Sequence, residues 1–307
     1  MSINIRKRSG KLEPLDIRKI QKQTIEATEG LNGVSQSTLE VDAQIKFVDG
    51  MKSSDIQDSL IKTAVEKIDI DVPDWTFVAA RLFLFDLYHR VGKATKAEKG
   101  SPYSHLSKYI EAGINAGKIF PTLANGYDLE KLNNAIDKNR DMQFNYLGIK
   151  TLYDRYLIKN KDGDPIELPQ HMFMGVAMFL ARNEKPEVKN DLAIKFYDVI
   201  SKFEVMLATP TLSNARTNRH QLSSCYIGSA PDNIEGIFDS YKEMGLLSKF
   251  GGGIGWDWNQ IRSLGGSIDG HKSAAGGTVP FLKVTNDIAI AVDQLGKISA
   301  PSYRNVA

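Results

Sequence analysis

The chain has 307 residues, 42% of them hydrophobic and 25% charged, which is ordinary for a soluble globular protein. Its 39 Lys and Arg nearly balance 37 Asp and Glu, excluding the global basic excess of a nucleic-acid binder; any polyanion site must be local. No apolar run approaches the roughly 20 residues that span a bilayer, and the N-terminus has no signal-peptide core, so a cytoplasmic protein without a membrane partner is expected.

In chain order, Ile3-Asn4-Ile5 alternates, Ser9-Gly10 turns, and Leu12 and Leu15 resume the apolar pattern, which predicts a small β-hairpin. Asp16 caps a helix with Ile17, Ile20, Thr24 and Ile25 on one side. Ser35 or Ser37 opens a second helix, broken at Asp49-Gly50. Ser53 or Ser54 opens a third, with Ile56, Leu60, Ala64, Val65 and Ile68 at helical spacing. A fourth follows Pro73 and runs from Trp75 to Val91. A hairpin and four helices make a first domain over residues 1–92, within the usual size range.

Lys93 to Ser101 is polar and glycine-bearing and reads as a linker. The second domain, residues 93–203, is mostly helical. A hairpin is expected inside it, with Tyr156-Leu157-Ile158 and Pro165–Leu168 flanking the turn Lys159–Asp164. From residue 204 the texture changes. Strand-like pieces at Tyr226-Ile227 and Gly253–Trp256 alternate with helices over Asn233–Lys249 and about Pro280–Gln294. This pattern predicts a largely parallel α/β architecture. So few strands close no barrel, so residues 204–307 read as a partial domain.

Four constellations bear chemistry. Lys7, Arg8 and Lys19 surround the turn at Gly10 and can gather charge around a small anion near a helix N-terminus; equally, they can be a solvated basic strand. Thr209, Ser223, Ser224 and Cys225 place hydroxyls and a thiol at expected strand ends, suited to a ligand with hydroxyls and phosphates. Cys225 is the only cysteine, which excludes an internal disulfide and any multi-cysteine metal site and fits a reducing compartment. It can be a small buried hydrophobe, a thiolate beside His220, or a thiol kept protonated as a hydrogen donor. The run Gly251-Gly252-Gly253-Ile254-Gly255 lets backbone approach a ligand, or makes a tight turn. Asp232 is most simply an N-cap and Arg262 a surface residue, although a helix N-terminus with one Arg also suits a nucleotide phosphate. The five histidines are dispersed and form no metal-ligand pattern.

In their order these stretches resemble the large, catalytic subunit of class I ribonucleotide reductase. Lys7–Gly10, Asp16–Ile20, Asp49–Ile56 and Ala79–Leu82 resemble its ATP cone. Arg140–Met142, Tyr156-Leu157 and Pro169-Gln170 resemble its helical domain. Thr209–Asn214 and Ser223–Cys225 resemble the opening of its ten-stranded α/β barrel. Gly253–Gly255, Ile261-Arg262, Gly265 and Val279–Phe281 resemble its substrate floor and specificity region. The resemblance implies reduction of ribonucleoside diphosphates by thiyl-radical chemistry, with Cys225 as one member of the redox pair. It implies substrate contacts at Thr209, Ser224 and Gly253, and a specificity-effector site at Asp232, Asn233, Ile234 and Arg262. It further implies ATP or dATP contacts at Lys7, Arg8, Glu13, Asp16, Lys19 and Ser53.

The same resemblance implies Mg²⁺ with the nucleotides, a radical from a metal-containing small subunit, a thioredoxin- or glutaredoxin-type reductant, and a homodimer of large subunits. His89 and Gln57 stand where a basic residue and a histidine are expected, and Asp269 where some members have an arginine. The tail from Lys297 to Ala307 departs from the family, and the radical cysteine, the second redox cysteine and the cysteine-bearing C-terminal tail lie outside these residues. The expectation is therefore the N-terminal portion of a split, phage-like large subunit, completed by a C-terminal fragment carried on another chain. A nucleotide-sensing module without catalysis and an inactive remnant are the alternatives.

Overall fold

The computed structural model describes residues 3–7, 10–44, 46–95, 97 and 101–292. Two compact units divide it. The larger takes in the residues up to Met206 with Arg216–Asn218; the smaller takes in Leu207–Ala215 and the described residues from Arg219 onward.

The larger unit begins with β1 (Asn4–Arg6) and β2 (Leu12–Pro14), antiparallel with Ile5 opposite Glu13. A third strand, β3 (Met51–Lys52), lies parallel to β1 on its other side. Two residues are too few to show a period, so the hairpin expected from sequence is in fact a three-stranded sheet. Asp49 fixes this addition by accepting from the Asn4 N–H at 2.7 Å. Around the sheet stand α1 (Ile17–Thr28), α2 (Gln36–Gln44), α3 (Ser53–Glu66) and α4 (Trp75–Thr95). Their core joins Ile20, Leu39, Ile56, Leu60, Trp75 and Leu82. Asp16 caps α1 as expected, accepting from the Arg18 N–H. Neither serine caps α3: Ser53 is its first helical residue, and Lys52 in the cap position makes no side-chain cap bond.

Helix α4 is apolar on more than one side. Trp75, Val78 and Leu82 face the N-terminal core, while Leu84, Leu87 and Val91 are also buried. Such a helix must be covered all round. It therefore runs on through Thr95, and Lys93–Thr95 are helix rather than the start of a linker.

The helical part continues with α5 (Leu106–Asn115), α6 (Leu129–Asn134), a 3-10 turn (Lys138–Gln143), α7 (Tyr146–Arg155), α8 (Pro169–Leu180) and α9 (Pro186–Ser201). The expected hairpin around residue 162 is short: Lys159 bridges Pro165, Asn160 donates to the Asp164 carbonyl at 2.8 Å and Ile166 to the Ile158 carbonyl at 3.0 Å, while Tyr156 and Leu157 give their N–H groups to the end of α7.

Every residue of α8 from Pro169 to Phe179 is buried, and two polar networks flank it. In one, buried Asp141 accepts from Tyr88 and Tyr103 at 2.6 Å each and from the Gln170 amide at 2.8 Å. In the other, Arg216 donates to both carboxylate oxygens of Glu167 at 2.5 and 2.6 Å, with both side chains fully buried. Glu167 also accepts from Tyr109 and from the Ile158 N–H. His171 lies between them, stacked on Tyr109 and edge-on to Tyr103 with both centroids at 4.8 Å.

The smaller unit holds α10 (Thr209–Asn214), β4 (Cys225–Ser229), α11 (Ile234–Lys249), β5 (Gly253–Asp257) and α12 (Val279–Ala291). β4 and β5 are parallel, Cys225 opposite Gly253 and Ser229 opposite Asp257, joined through α11. Ile237, Tyr241 and Met244 of α11 bury with Trp258 and Ile261. Gly228 is required for this packing, since a Cβ there would stand 2.4 Å from the Trp256 ring. The parallel α/β pattern read from the sequence is present as this one β-α-β unit, with no closed barrel among the described residues. No helix among the described residues is long and apolar enough to cross a membrane.

Candidate nucleotide and thiol sites

The thiol site is built where β4 and β5 begin. Parallel pairing puts Cys225 beside Gly253, and the Gly253 N–H donates to the Ser224 carbonyl at 2.7 Å. A side chain at Gly253 would meet that carbonyl at 3.3 Å and the Cys225 Sγ at 3.7 Å, so glycine keeps the space beside the sulfur open. Ser224 Oγ lies 3.5 Å from Sγ, and Cys225 is exposed, not a buried hydrophobe. Thr209 is not at a strand end: Pro210 directly after it suits the first turn of a helix, and Thr209 is the first residue of α10. That helix is laced to the segment before β4. Asn214 donates to the Gln221 carbonyl at 2.8 Å, and Thr211 to the Leu222 carbonyl at 3.3 Å. Gln221 in turn donates to the Ser223 carbonyl and the Tyr226 hydroxyl. Sequence reasoning missed Asn214 and Gln221, since amides that tie one loop to another carry no periodic signal. The arrangement presents a thiol, the Ser224 hydroxyl and open backbone where the two strands begin.

The second group lies at the start of α11. Asn233, not Asp232, is the N-cap, accepting from the Gly236 N–H at 2.8 Å. Asp232 is taken instead by Arg262, which donates its Nε at 2.8 Å and its backbone N–H at 3.2 Å. Two cap-competent residues stand side by side, and a partner thirty positions away decides between them. Arg262 also donates to the Ser267 carbonyl at 2.7 Å, so Asp232, Asn233 and Arg262 do converge, with Ile234 exposed beside them. The loop beyond folds back through paired Ile268 and His271, with φ of +46° at Asp269 and +82° at Gly270. Left-handed backbone at both turn centres favours Asp-Gly, which explains an aspartate where an arginine is expected.

The third site is in the larger unit. A cleft of about 410 Å³ is lined by Lys7, Glu13, Asp16, Lys19 and Ser53, bringing together five of the six residues expected to hold ATP or dATP. The sixth, Arg8, lies outside the described residues, as does the tail from Lys297. The N-terminal turns of α1 and α3 both open on this cleft, through Asp16, Lys19 and Ser53. A helix N-terminus favours an anion, and α3 begins without a side-chain cap. Hydrogen bonding from Arg18 holds the Asp16 carboxyl below its ordinary value, so it stays ionised. Lys7 lies 4.0 Å from Glu13. Phe85, Asp86 and His89 of α4 form the far wall, and Gln57 lines it too, its amide donated to the Leu82 carbonyl at 2.8 Å. Phe85 and Asp86 went unread in the sequence because α4 shows an almost continuous apolar run there.

Three family models match the chain in sequence: an ATP cone domain over residues 3–90, the all-alpha domain of ribonucleotide reductase over 142–220, and its barrel domain over 223–300. The chain is 63% identical over 294 residues to the ribonucleoside-diphosphate reductase subunit alpha of Helicobacter pylori, covering 96% of this chain and 36% of that protein. It is 40% identical over 254 residues to the subunit of the same name from Chlamydia muridarum, covering 82% and 24%. For the Salmonella typhimurium subunit 1 alpha the identity is 33% over 283 residues, covering 92% and 37%. The chain thus spans about a quarter to just over a third of the length of these curated relatives. It belongs to the ribonucleotide reductase large-subunit family, of which it holds the ATP cone, the all-alpha domain and the first part of the barrel domain.

Proposed function

We propose that these residues are the N-terminal portion of a large subunit that reduces ribonucleoside diphosphates to deoxyribonucleoside diphosphates, with a cone over residues 1–92, a helical domain over 93–203 and the opening of the barrel over 204–307. The observation that carries this is the placement of Cys225 opposite Gly253 on an exposed, hydroxyl-bearing strand edge. In that role the Gly253 and Ser224 region holds the diphosphate substrate, with Thr209 on the laced helix beside it. A thiyl radical on a cysteine outside residues 1–307 removes the 3′ hydrogen. Cys225 faces the 2′-hydroxyl. Cys225 and a second thiol, also outside these residues, supply two electrons and two protons as they join in a disulfide. One proton leaves with the 2′ hydroxyl as water, the other ends as a hydrogen on C2′, the radical cysteine returns the 3′ hydrogen to C3′ and is a thiyl radical again, and the disulfide is reopened by an external dithiol reductant.

Asp232, Asn233, Ile234 and Arg262 form the deoxynucleotide specificity site, and the cone cleft takes ATP or dATP with Mg²⁺. The radical comes from a metal-containing small subunit, and the assembly acts as a homodimer in the cytoplasm. The test is complementation. The chain is combined with a polypeptide carrying the remaining barrel residues and with a small subunit, and deoxycytidine diphosphate formation is measured. Cys225→Ser is expected to abolish turnover; turnover that survives it sinks the redox assignment. A second reading, a nucleotide-sensing module alone, is favoured by the cone cleft lying in the unit without Cys225. It predicts ATP binding but no product in any reconstituted mixture.

A further inference from the structure

We propose that Tyr226 and Gln221 act together as positioning residues for the Cys225 thiol, holding the start of β4 in the setting that its redox step needs. The inference rests on the redox reading of Cys225. Successive strand residues face opposite ways. Cys225, Ile227 and Ser229 are exposed on one face of β4, and Tyr226 and Gly228 are half-buried on the other. Tyr226 stands opposite Ile254 and Gly228 opposite Trp256, and both partners pack against the core that α11 supplies. Tyr226 therefore acts on Cys225 through the backbone, not by touching a ligand held beside the thiol.

The two side chains form a clasp. The Gln221 amide donates one N–H to the Ser223 carbonyl at 2.7 Å and the other to the Tyr226 hydroxyl at 2.9 Å. A carbonyl can only accept, so the nitrogen end of the amide is fixed toward Ser223. Its own oxygen is buried and accepts from no described residue, so the two donated bonds are what hold the side chain there. Tyr226 is seated in turn over Gly252, where a Cβ would stand 2.5 Å from its ring. The clasp thus closes over residues 223–226 and brackets Ser224 and Cys225. Cys225 is the first residue of β4, and among the described residues β5 is the only strand beside it. The last rung at that end runs from the Gly253 N–H to the Ser224 carbonyl. A strand end held by one ladder frays. A thiol that must join a second one has to keep its Cβ within about 3.5–4.5 Å of the partner's. The clasp supplies the fixity that the single ladder lacks.

The test compares the native chain with Tyr226→Phe, which keeps the ring over Gly252 and removes the hydroxyl, and with Gln221→Met, which keeps the length and removes both donors. Hydrogen exchange of the full chain alone reads the clasp. The Gly253 amide is expected to exchange about three- to tenfold faster in either variant, with the α11 amides unchanged. The chain reconstituted with the remaining barrel polypeptide and a small subunit reads the function. In Tyr226→Phe, kcat is expected to fall about three- to tenfold with KM for cytidine diphosphate within about twofold of native, since the missing hydroxyl touches no substrate. Tyr226→Phe/Gln221→Met should be no slower than Gln221→Met alone, because the two side chains act as one unit. Unchanged exchange at Gly253, an unchanged kcat, or a KM that rises as far as kcat falls overturns the inference, and the redox reading stands so long as Cys225→Ser is inactive. Product formed by Cys225→Ser, or by none of the proteins, sinks the redox reading and this inference with it.

Discussion

His171 offers the sharpest test of how the helical part is held. Both of its ring nitrogens are buried without a hydrogen-bond partner, and burial pulls its pKa down to about 3. In an unfolded chain the same imidazole titrates near 6.5. The folded value is the lower one, so folding favours the neutral ring. That stability is complete above about pH 6.5 and is lost as pH falls toward the folded value. Between roughly pH 7.5 and pH 5 the loss amounts to about 2 kcal/mol. His171→Phe keeps the ring stacked on Tyr109 and removes the titration. Asp141 acts in the opposite direction. Burial pushes its pKa up to about 6, against the pull of its three donors, so its protonation adds about 1.4 kcal/mol to the folded state over the same interval. That contribution is common to both proteins and cancels in their difference. Hydrogen exchange of the α8 amides, corrected for intrinsic rates, should show the native helix losing about 2 kcal/mol more than the variant between the two pH values, about 30-fold in protection. Equal losses in the two proteins, within about 0.5 kcal/mol, would refute a buried, unpartnered imidazole.

Two further outcomes follow from named contacts. Arg216→Met leaves the Glu167 carboxylate buried without its cation and should cost about 3–5 kcal/mol in urea unfolding, while the Glu167→Leu/Arg216→Met pair should cost less than that single change; a single-variant cost within about 0.5 kcal/mol contradicts the buried pair. Gly228→Ala must push the Trp256 ring aside and should cost about 1–3 kcal/mol with an altered near-ultraviolet signal, and an unchanged spectrum would show that the strand does not lie against that ring.

Helices with a clear apolar stripe were legible in the sequence. Ile56, Leu60 and Ala64 of α3 repeat at helical spacing and are buried as that spacing requires; of the apolar face Ile234, Ile237, Phe238, Tyr241 and Leu247 expected in α11, Ile237 and Tyr241 are buried while Ile234 and Phe238 are exposed. Asp16 before α1 showed its cap directly. Features settled by distant partners were not legible. β3 exists because β1 offers it an edge, and Asp232 is drawn from capping by Arg262. The Arg140-Asp141-Met142 and Pro169-Gln170 stretches looked like separate landmarks. Only folding shows that Asp141 and Gln170 are one hydrogen-bonded group closed by three tyrosines, Tyr88, Tyr103 and Tyr197. At the candidate sites, residue types with direct chemistry (a thiol, an Arg, paired lysines) could be named. The amides of Asn214 and Gln221 that set their geometry could not.

The double burial of α4 bears on how separable the regulatory region is. A cassette that can be lost or exchanged in evolution ends at a solvated tether. Here the last helix of the cone also carries Tyr88, which donates to Asp141, and Arg90, which donates to the Tyr153 hydroxyl at 3.1 Å. Deleting the chain up to residue 95 would strip α7 of a packing neighbour and leave Asp141 one donor short. A lineage that discards its cone must therefore rebuild the surface beneath it or keep α4. Grafts at this junction should be cut before Trp75, ahead of the shared helix, where the chain still belongs to the cone alone.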